Sequence, residues 1–381
     1  DSGTDTGSEF NGEAPEIGSW EAPGYYNRSP IEPVPKRVFV NQAAAPGGDG
    51  LSWETAFQSV SEALFVYFVS NEVWVARGVY NENIYVEDTV SLYGGFGGWE
   101  TVKDQRDPDA YPTVLDSSGL NTRVVTVNKI DGTTIDGFTI QGGGANQPGG
   151  GLHYYRVSSA TLENCNILNN HSSGQDSGGG GVDYDHSQGI IAHCTFRNNS
   201  GRSGGAVAAE VSDVTLTDCL IDSNHSEVSG GGIYFRSTFG ALLQCIIQSN
   251  SSLITGGGVS CYRSDPKIER CVISENTTIE RGGGVYCTGG ADPEIVHCSI
   301  VGNSAEFDGG AVYTYDSDPT ITNCILWNPG DEIILGFSSR RSFPPVTTFS
   351  CVQGGFKGEG NIESYPRFVD PFSGDWRLLD G

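Results

Sequence analysis

Basic residues are scarce in this chain of 381 residues: 21 Lys and Arg stand against 47 Asp and Glu, a formal net charge of −26. A surface of that sign repels phosphate backbones and anionic headgroups, which argues against nucleic acid and anionic membranes as partners. Long apolar runs are missing as well. None approaches the about 20 residues that cross a bilayer, so no membrane span is expected. The 54 glycines follow no Gly-X-Y period, which excludes a collagen triple helix. The six histidines do not join the cysteine series described below, so a Cys/His zinc site finds no support. The chain opens at Asp1 without methionine. With the acidity, that reads as a processed protein exported from the cell, secreted or at the cell surface.

What the chain has is a period. Cys165, Cys194, Cys219, Cys245, Cys271, Cys298 and Cys324 follow one another at 25 to 29 residues, and Cys351 lies 27 further on. Such spacing marks stacked supersecondary units. Three residues before each of the seven stand Leu162, Ile191, Leu216, Leu242, Ile268, Ile295 and Ile321. Two after stand Ile167, Phe196, Ile221, Ile247, Ile273, Ile300 and Leu326. These share one side of short strands. Five residues after the first six cysteines come Asn170, Asn199, Asn224, Asn250, Asn276 and Asn303. Stacked amides can bond to one another and to the turning backbone, so a buried polar column is satisfied by its own repetition.

A glycine phrase keeps the same step, from GGGL at Gly149 and GGGV at Gly179 to GGAV at Gly309. Glycine suits corners where the chain turns at positive φ or passes close to its neighbour. The apolar segments between corners are too short for helices and rich in β-branched residues, which implies two or three strands per turn of a solenoid. The reading is an all-β, right-handed parallel β-helix of roughly ten coils, a rod of roughly 50 Å at about 4.8 Å per rung.

Three regions divide the chain. Residues 1–36 form an acidic tail with Gly, Ser and Pro throughout. Its composition alone reads as disordered, yet Phe10, Trp20, Tyr25 and Tyr26 are anchors for docking, and self-association through strand exchange with a second copy is one expectation. Residues 37–351 form the β-helix, of which 37–110 are cap and irregular first coils. In the cap, SWETAFQSVSEAL predicts a helix with Ser52 at its start, Glu54 at its positive end, and Phe57, Val60 and Leu64 on one face over the open end of the solenoid. Phe138 takes the cysteine position 27 residues before Cys165. Residues 352–381 are expected to close the other end. The ladder cysteines are expected as buried thiols acting as small hydrophobes, with Cys261 and Cys287, a second column, as the pair best placed for a disulfide.

The stretches TAFQSVSEAL, VARGVYNENI and SLYGGFGGWE resemble the amino-terminal coil and cap of secreted bacterial right-handed parallel β-helix proteins of the pectin-lyase-like superfamily. GGAV and GGGI with FRNN (Phe196 to Asn199) resemble the repeats of chlamydial polymorphic outer-membrane proteins, which are surface adhesins, although no membrane-barrel segment follows here. GEGNIESYPRFVDPFSGDWRLLDG is similar to the closing segment of large bacterial repeat proteins. The resemblance covers roughly Arg37 to Gly381 and implies the fold; one superfamily hosts lyases, hydrolases, epimerases, adhesins and fibre proteins.

Enzymes of that superfamily work on polysaccharides along the outer face of one sheet. In this register the outward positions after the glycine phrase hold His153, Tyr155, Asp183, Asp185, Glu210, Tyr234, Arg236, Ser260, Tyr262, Tyr286, Tyr313 and Tyr315. Aromatic rings there could stack on sugars, with Tyr155, Tyr234, Tyr262, Tyr286, Tyr313 and Tyr315 as a ligand-binding row. Asp183, Asp185 and Glu210 are a calcium-ligand set, and with Arg236 an alternative catalytic set. A solvated face of a very acidic protein gives the same pattern, and His153 and His193 read as ordinary surface residues. The NTD, DD and GHG settings of polygalacturonases and the RIK signature are absent, and DYDH at Asp183 to His186 matches the YGFDPHD of alginate epimerases only faintly. Two functions remain open. One is a non-catalytic extracellular scaffold for adhesion or surface assembly, without a cofactor. The other is a carbohydrate-active or glycan-binding protein, lyase-type if enzymatic.

Overall fold

The computed structural model describes residues 36–66, 72–174, 178–336, 345–371 and 374–379. The tail anchors Phe10, Trp20, Tyr25 and Tyr26 lie outside the described residues.

One coil explains the rest. The strand Ala160–Glu163 reaches Asn164, whose φ of 50° turns the chain at Cys165. Asn166–Leu168 follows, then Asn169 at φ 54° turns it again at Asn170 into the two-residue strand His171–Ser172. After the glycine phrase, Val182–Asp185 runs back, and His186 at φ 50° closes the circuit. Each segment pairs in parallel with its equivalents one turn away. Among the described residues this builds sheet A of 12 strands before the cysteines, sheet B of 11 after them, sheet C of 10 after the glycine phrase and sheet D of seven short strands after the asparagines. The coil is therefore four-sided, where two or three strands per turn were expected. The left-handed corner before each asparagine splits one expected edge in two.

Alternation decides what lies inside. Leu162, Ile167, Val182 and their equivalents are fully buried, each removal of such a side chain from water stabilising the stack by about 1.5–3 kcal/mol. The asparagines are inside too. Asn250 Nδ2 donates to Asn276 Oδ1 at 2.9 Å and to the Ile221 carbonyl at 2.9 Å, and its backbone N–H donates to the same Oδ1 at 2.9 Å. The pattern repeats from Asn170 to Asn303. It then extends to a seventh member, Asn328, which sits four residues after its cysteine instead of five.

All ten cysteines are free and buried, Cys261 and Cys287 included; those two are register partners without a bond between them. Parallel strands aim both thiols the same way, which disfavours the bridge expected there. Each ladder thiol lies between two carbonyls, as Cys245 does at 3.4 Å from Leu243 and 3.5 Å from Leu216. Cys351 is not a column member. Ser350 holds that place, accepting the Cys324 N–H at 3.1 Å and donating to the Thr348 carbonyl at 2.8 Å, while Cys351 pairs with Ile325 on sheet B.

The cap also differs from expectation. Its helix spans only Val60–Val66. Phe57 instead bridges Val40 at the edge of sheet A, and Ser52 accepts the Thr55 N–H in a tight turn at 3.2 Å. The helix start is held by Ser59 and by the Glu82 carboxylate, which accepts the N–H groups of Val60 and Ser61 at 2.8 and 2.9 Å. A tertiary carboxylate thus joins the local Ser59 cap at the helix start. At the other end Phe356 packs against the core, and the hairpin of Phe368–Asp370 and Asp375–Leu378 folds back along the side, with Trp376 Nε1 donating to Glu275 at 3.3 Å.

Candidate functional site

Sheet C presents the chemistry. Its strands Ile84–Val86, Val125–Asn128, Leu152–Tyr155, Val182–Asp185, Val207–Glu210 and Ile233–Arg236 lie side by side in register. The outer rows therefore read Tyr85, Thr126, His153, Asp183, Ala208, Tyr234 and Asn128, Tyr155, Asp185, Glu210, Arg236. A cleft of about 590 Å³ is lined by Arg123, Pro148, His153, Tyr155, Asp183, Asp185, His186, Glu210 and Arg236. A smaller one of about 270 Å³ adjoins it, lined by Tyr85, Thr126 and neighbours, and Arg123 belongs to both.

The structure brings Asp183, Asp185, Glu210 and Arg236 into this one cleft, but as separate pairs. Asp183 is buried: one oxygen meets His153 Nδ1 at 2.9 Å and the other accepts the Gly179 N–H at 3.2 Å. Glu210 pairs with Arg236 at 2.6 Å, and Asp185 with His186 Nδ1 at 2.5 Å. His153, expected on the surface, is only 8% exposed. His193 is exposed, between Glu163 and Asp218. Arg123 and His186 complete the cleft and were not picked out from sequence. Arg123 precedes the regular glycine phrases, and His186 stands at a corner, so neither falls on the outward positions of the repeat. Burial lowers the Arg123 pKa, against the opposing pull of the Asp183 charge.

Asp183, Asp185 and Glu210 are the carboxylates expected as a calcium set. Each of the three carboxylates is engaged by a cationic or imidazole partner. No group of three or more His, Cys, Asp or Glu among the described residues is arranged to hold a metal.

The tyrosine row is less open than expected. Tyr313 is 5% exposed and stacks on Tyr286 with centroids 5.6 Å apart, beneath the Arg281 guanidinium. Burial pushes the Tyr234 hydroxyl pKa up to about 12. Tyr155 lies at the cleft, its ring nearly parallel to that of His153 at 6.2 Å, and Tyr315 is exposed.

Residues 123–280 match the model of a family described as a right-handed β-helix region, which gives the hand of the coil and spans the strands carrying the larger cleft. No curated protein sequence matches the chain. Two crystal structures of pectin methylesterase from Aspergillus niger are similar to it. One, in penultimately deglycosylated form, is 14% identical, covering 88% of this chain and 87% of that one at a TM-score of 0.35. The other, in deglycosylated form, is 14% identical, covering 92% and 98% at a TM-score of 0.32.

Proposed function

We propose that this protein is an extracellular β-helix scaffold that binds a polysaccharide strand along sheet C. One observation carries the reading: two clefts in line on the same sheet share Arg123. Together they run across six strands from Tyr85 to Arg236, about 24 Å at about 4.8 Å per rung. A narrow polar groove of that length, walled by Tyr155 and by guanidinium and carboxylate groups, suits a linear chain of hydroxyl-rich rings. The regular coils beneath hold the wall rigid, as a scaffold for adhesion or surface assembly would require.

Affinity electrophoresis in gels cast with neutral and uronate polysaccharides tests the proposal. Retardation in at least one polymer is expected, weakened about tenfold by Arg123→Ala or Tyr155→Ala, a change equivalent to about 1.4 kcal/mol. Unaltered mobility in every polymer overturns it. The assembly role extends the proposal to residues 1–36. Light scattering should show the full chain self-associating and a chain beginning at Arg37 monomeric; two monomers remove that role.

A further inference from the structure

One pair in the cleft exceeds what binding requires. His153 and Asp183 are register partners on adjacent strands, both buried, with Nδ1 and Oδ2 2.9 Å apart. An ionised carboxylate only accepts hydrogen bonds, so Nδ1 carries a proton, and in the neutral imidazole Nε2 keeps its lone pair. Among the described residues Nε2 has no hydrogen-bond partner, and the ring forms part of the cleft wall. Withdrawing an imidazole and a carboxylate from water is costly unless the two are paired and oriented, an expense that a plain solvated face does not incur.

The surroundings narrow the chemistry. Glycosidic cleavage by two carboxylates needs one of them free to act as an acid, whereas Asp185 and Glu210 are held by His186 and Arg236 at 2.5 and 2.6 Å. The lining of this cleft contains no Ser, Thr or Cys, and Thr126, the register partner of His153 on the adjacent strand, lines the adjoining cleft instead. With Asp185 and Glu210 engaged by His186 and Arg236, and Thr126 lining the adjoining cleft, water is the nucleophile that this base would activate. Arg123 lines the same cleft, near enough to Asp183 to feel its charge, and suits the negative charge that develops on a carbonyl oxygen under attack.

We propose that His153, oriented by Asp183, is the general base for hydrolysis of ester substituents on the bound polysaccharide; the inference rests on the glycan-binding reading of this cleft. His153 Nε2 takes a proton from water as the water oxygen bonds to the ester carbonyl carbon, and the carbonyl electron pair moves onto oxygen, facing the Arg123 guanidinium. As that intermediate collapses, the bond from the carbonyl carbon to the alcohol oxygen breaks. The proton on His153 passes to the leaving oxygen, giving an acid and an alcohol and restoring the base. The sugar backbone stays intact. Acetyl groups on sugar hydroxyls and methyl groups on uronates share this chemistry, and their released products tell them apart.

The full chain is incubated with O-acetylated and methyl-esterified polysaccharides. Acetate, methanol and unsaturated-uronate absorbance are followed, and binding to the same polymers is measured in parallel. Release of acetate or methanol is expected. His153→Gln should lower kcat by about 10²–10⁴-fold with KM nearly unchanged. Asp183→Asn should lower kcat in the same sense, and added imidazole should restore part of the rate to His153→Ala. Retained binding with neither product overturns the inference alone, as does an unsaturated product or undiminished turnover by a folded His153→Gln. The wild-type assay decides the matter even where a variant does not fold. Absence of binding to any polymer overturns instead the reading on which the inference rests.

Discussion

Asn328 and Glu332 end the asparagine column: the Glu332 carboxylate accepts the backbone N–H of Asn328 at 2.6 Å and its side-chain amide at 2.7 Å. The last amide of a ladder has no next coil to donate to, and this carboxylate takes that place. Burial is the main reason that the Glu332 pKa is pushed up to about 7 from the ordinary 4.5, with the Asn328 bonds opposing it. A raised folded-state pKa means that the fold holds the proton more tightly than the unfolded chain does. The stabilisation is therefore complete below about pH 4.5 and is lost as pH rises through about 7, by a total on the order of 3 kcal/mol. Chemical denaturation from pH 4 to 8 should show this slope in the wild type and a smaller one in Glu332→Gln. Equal slopes would remove Glu332 as the cause.

Removing one amide from the middle of the column should cost more than a surface change. Asn250→Ala leaves the backbone N–H and side-chain amide of Asn224 without their acceptor, since both meet Asn250 Oδ1 at 2.9 Å. A loss of about 1–3 kcal/mol is expected. An unaltered melting temperature would mean that the column is not structural.

The thiols should be silent until the coil opens. Every cysteine is buried and unbridged, and burial raises the Cys194 pKa well above its usual range. A thiol reagent should find almost none in the native protein and all 10 after denaturation without reductant. Titration of only eight would reveal a bridge, with Cys261 and Cys287 the first pair to test.

Close approach of backbones at the glycine phrase predicts a severe defect in Gly231→Ala. A Cβ there would stand 2.3 Å from the Gly257 carbonyl oxygen and 2.4 Å from that of Ser251, neither of which can move without shifting a coil. Destabilisation beyond about 3 kcal/mol is expected. Gly330→Ala, with nothing within 4 Å of the added carbon, should be milder and limited to the strain of its φ of 91°. Comparable unfolding midpoints for the two would contradict the packing argument.

The repeat was legible because it is enforced locally and many times over. A parallel coil buries the same position at every turn, so cysteine, isoleucine and asparagine recur in step, and Asn170 to Asn303 could be placed inside from spacing alone. The four-sided section was not legible, because the corner before each asparagine is a backbone choice made by residues as different as Asn169, Ser249 and Glu275. Single-residue slips also escaped the pattern: Ser350 replaces the thiol, and Asn328 arrives one residue early.

The candidate site shows the same division. Sequence alone determined the hand-to-hand stacking of strands and put Asp183, Asp185, Glu210 and Arg236 on one outer face, since alternation in a strand fixes which side a residue takes. Only the tertiary structure decided that His153 is buried against Asp183, that Arg236 holds Glu210, and that Arg123 joins two clefts. Pairing across strands depends on register and on the depth of each side chain beneath its neighbours. Those quantities belong to the assembled stack and not to any one stretch of the chain.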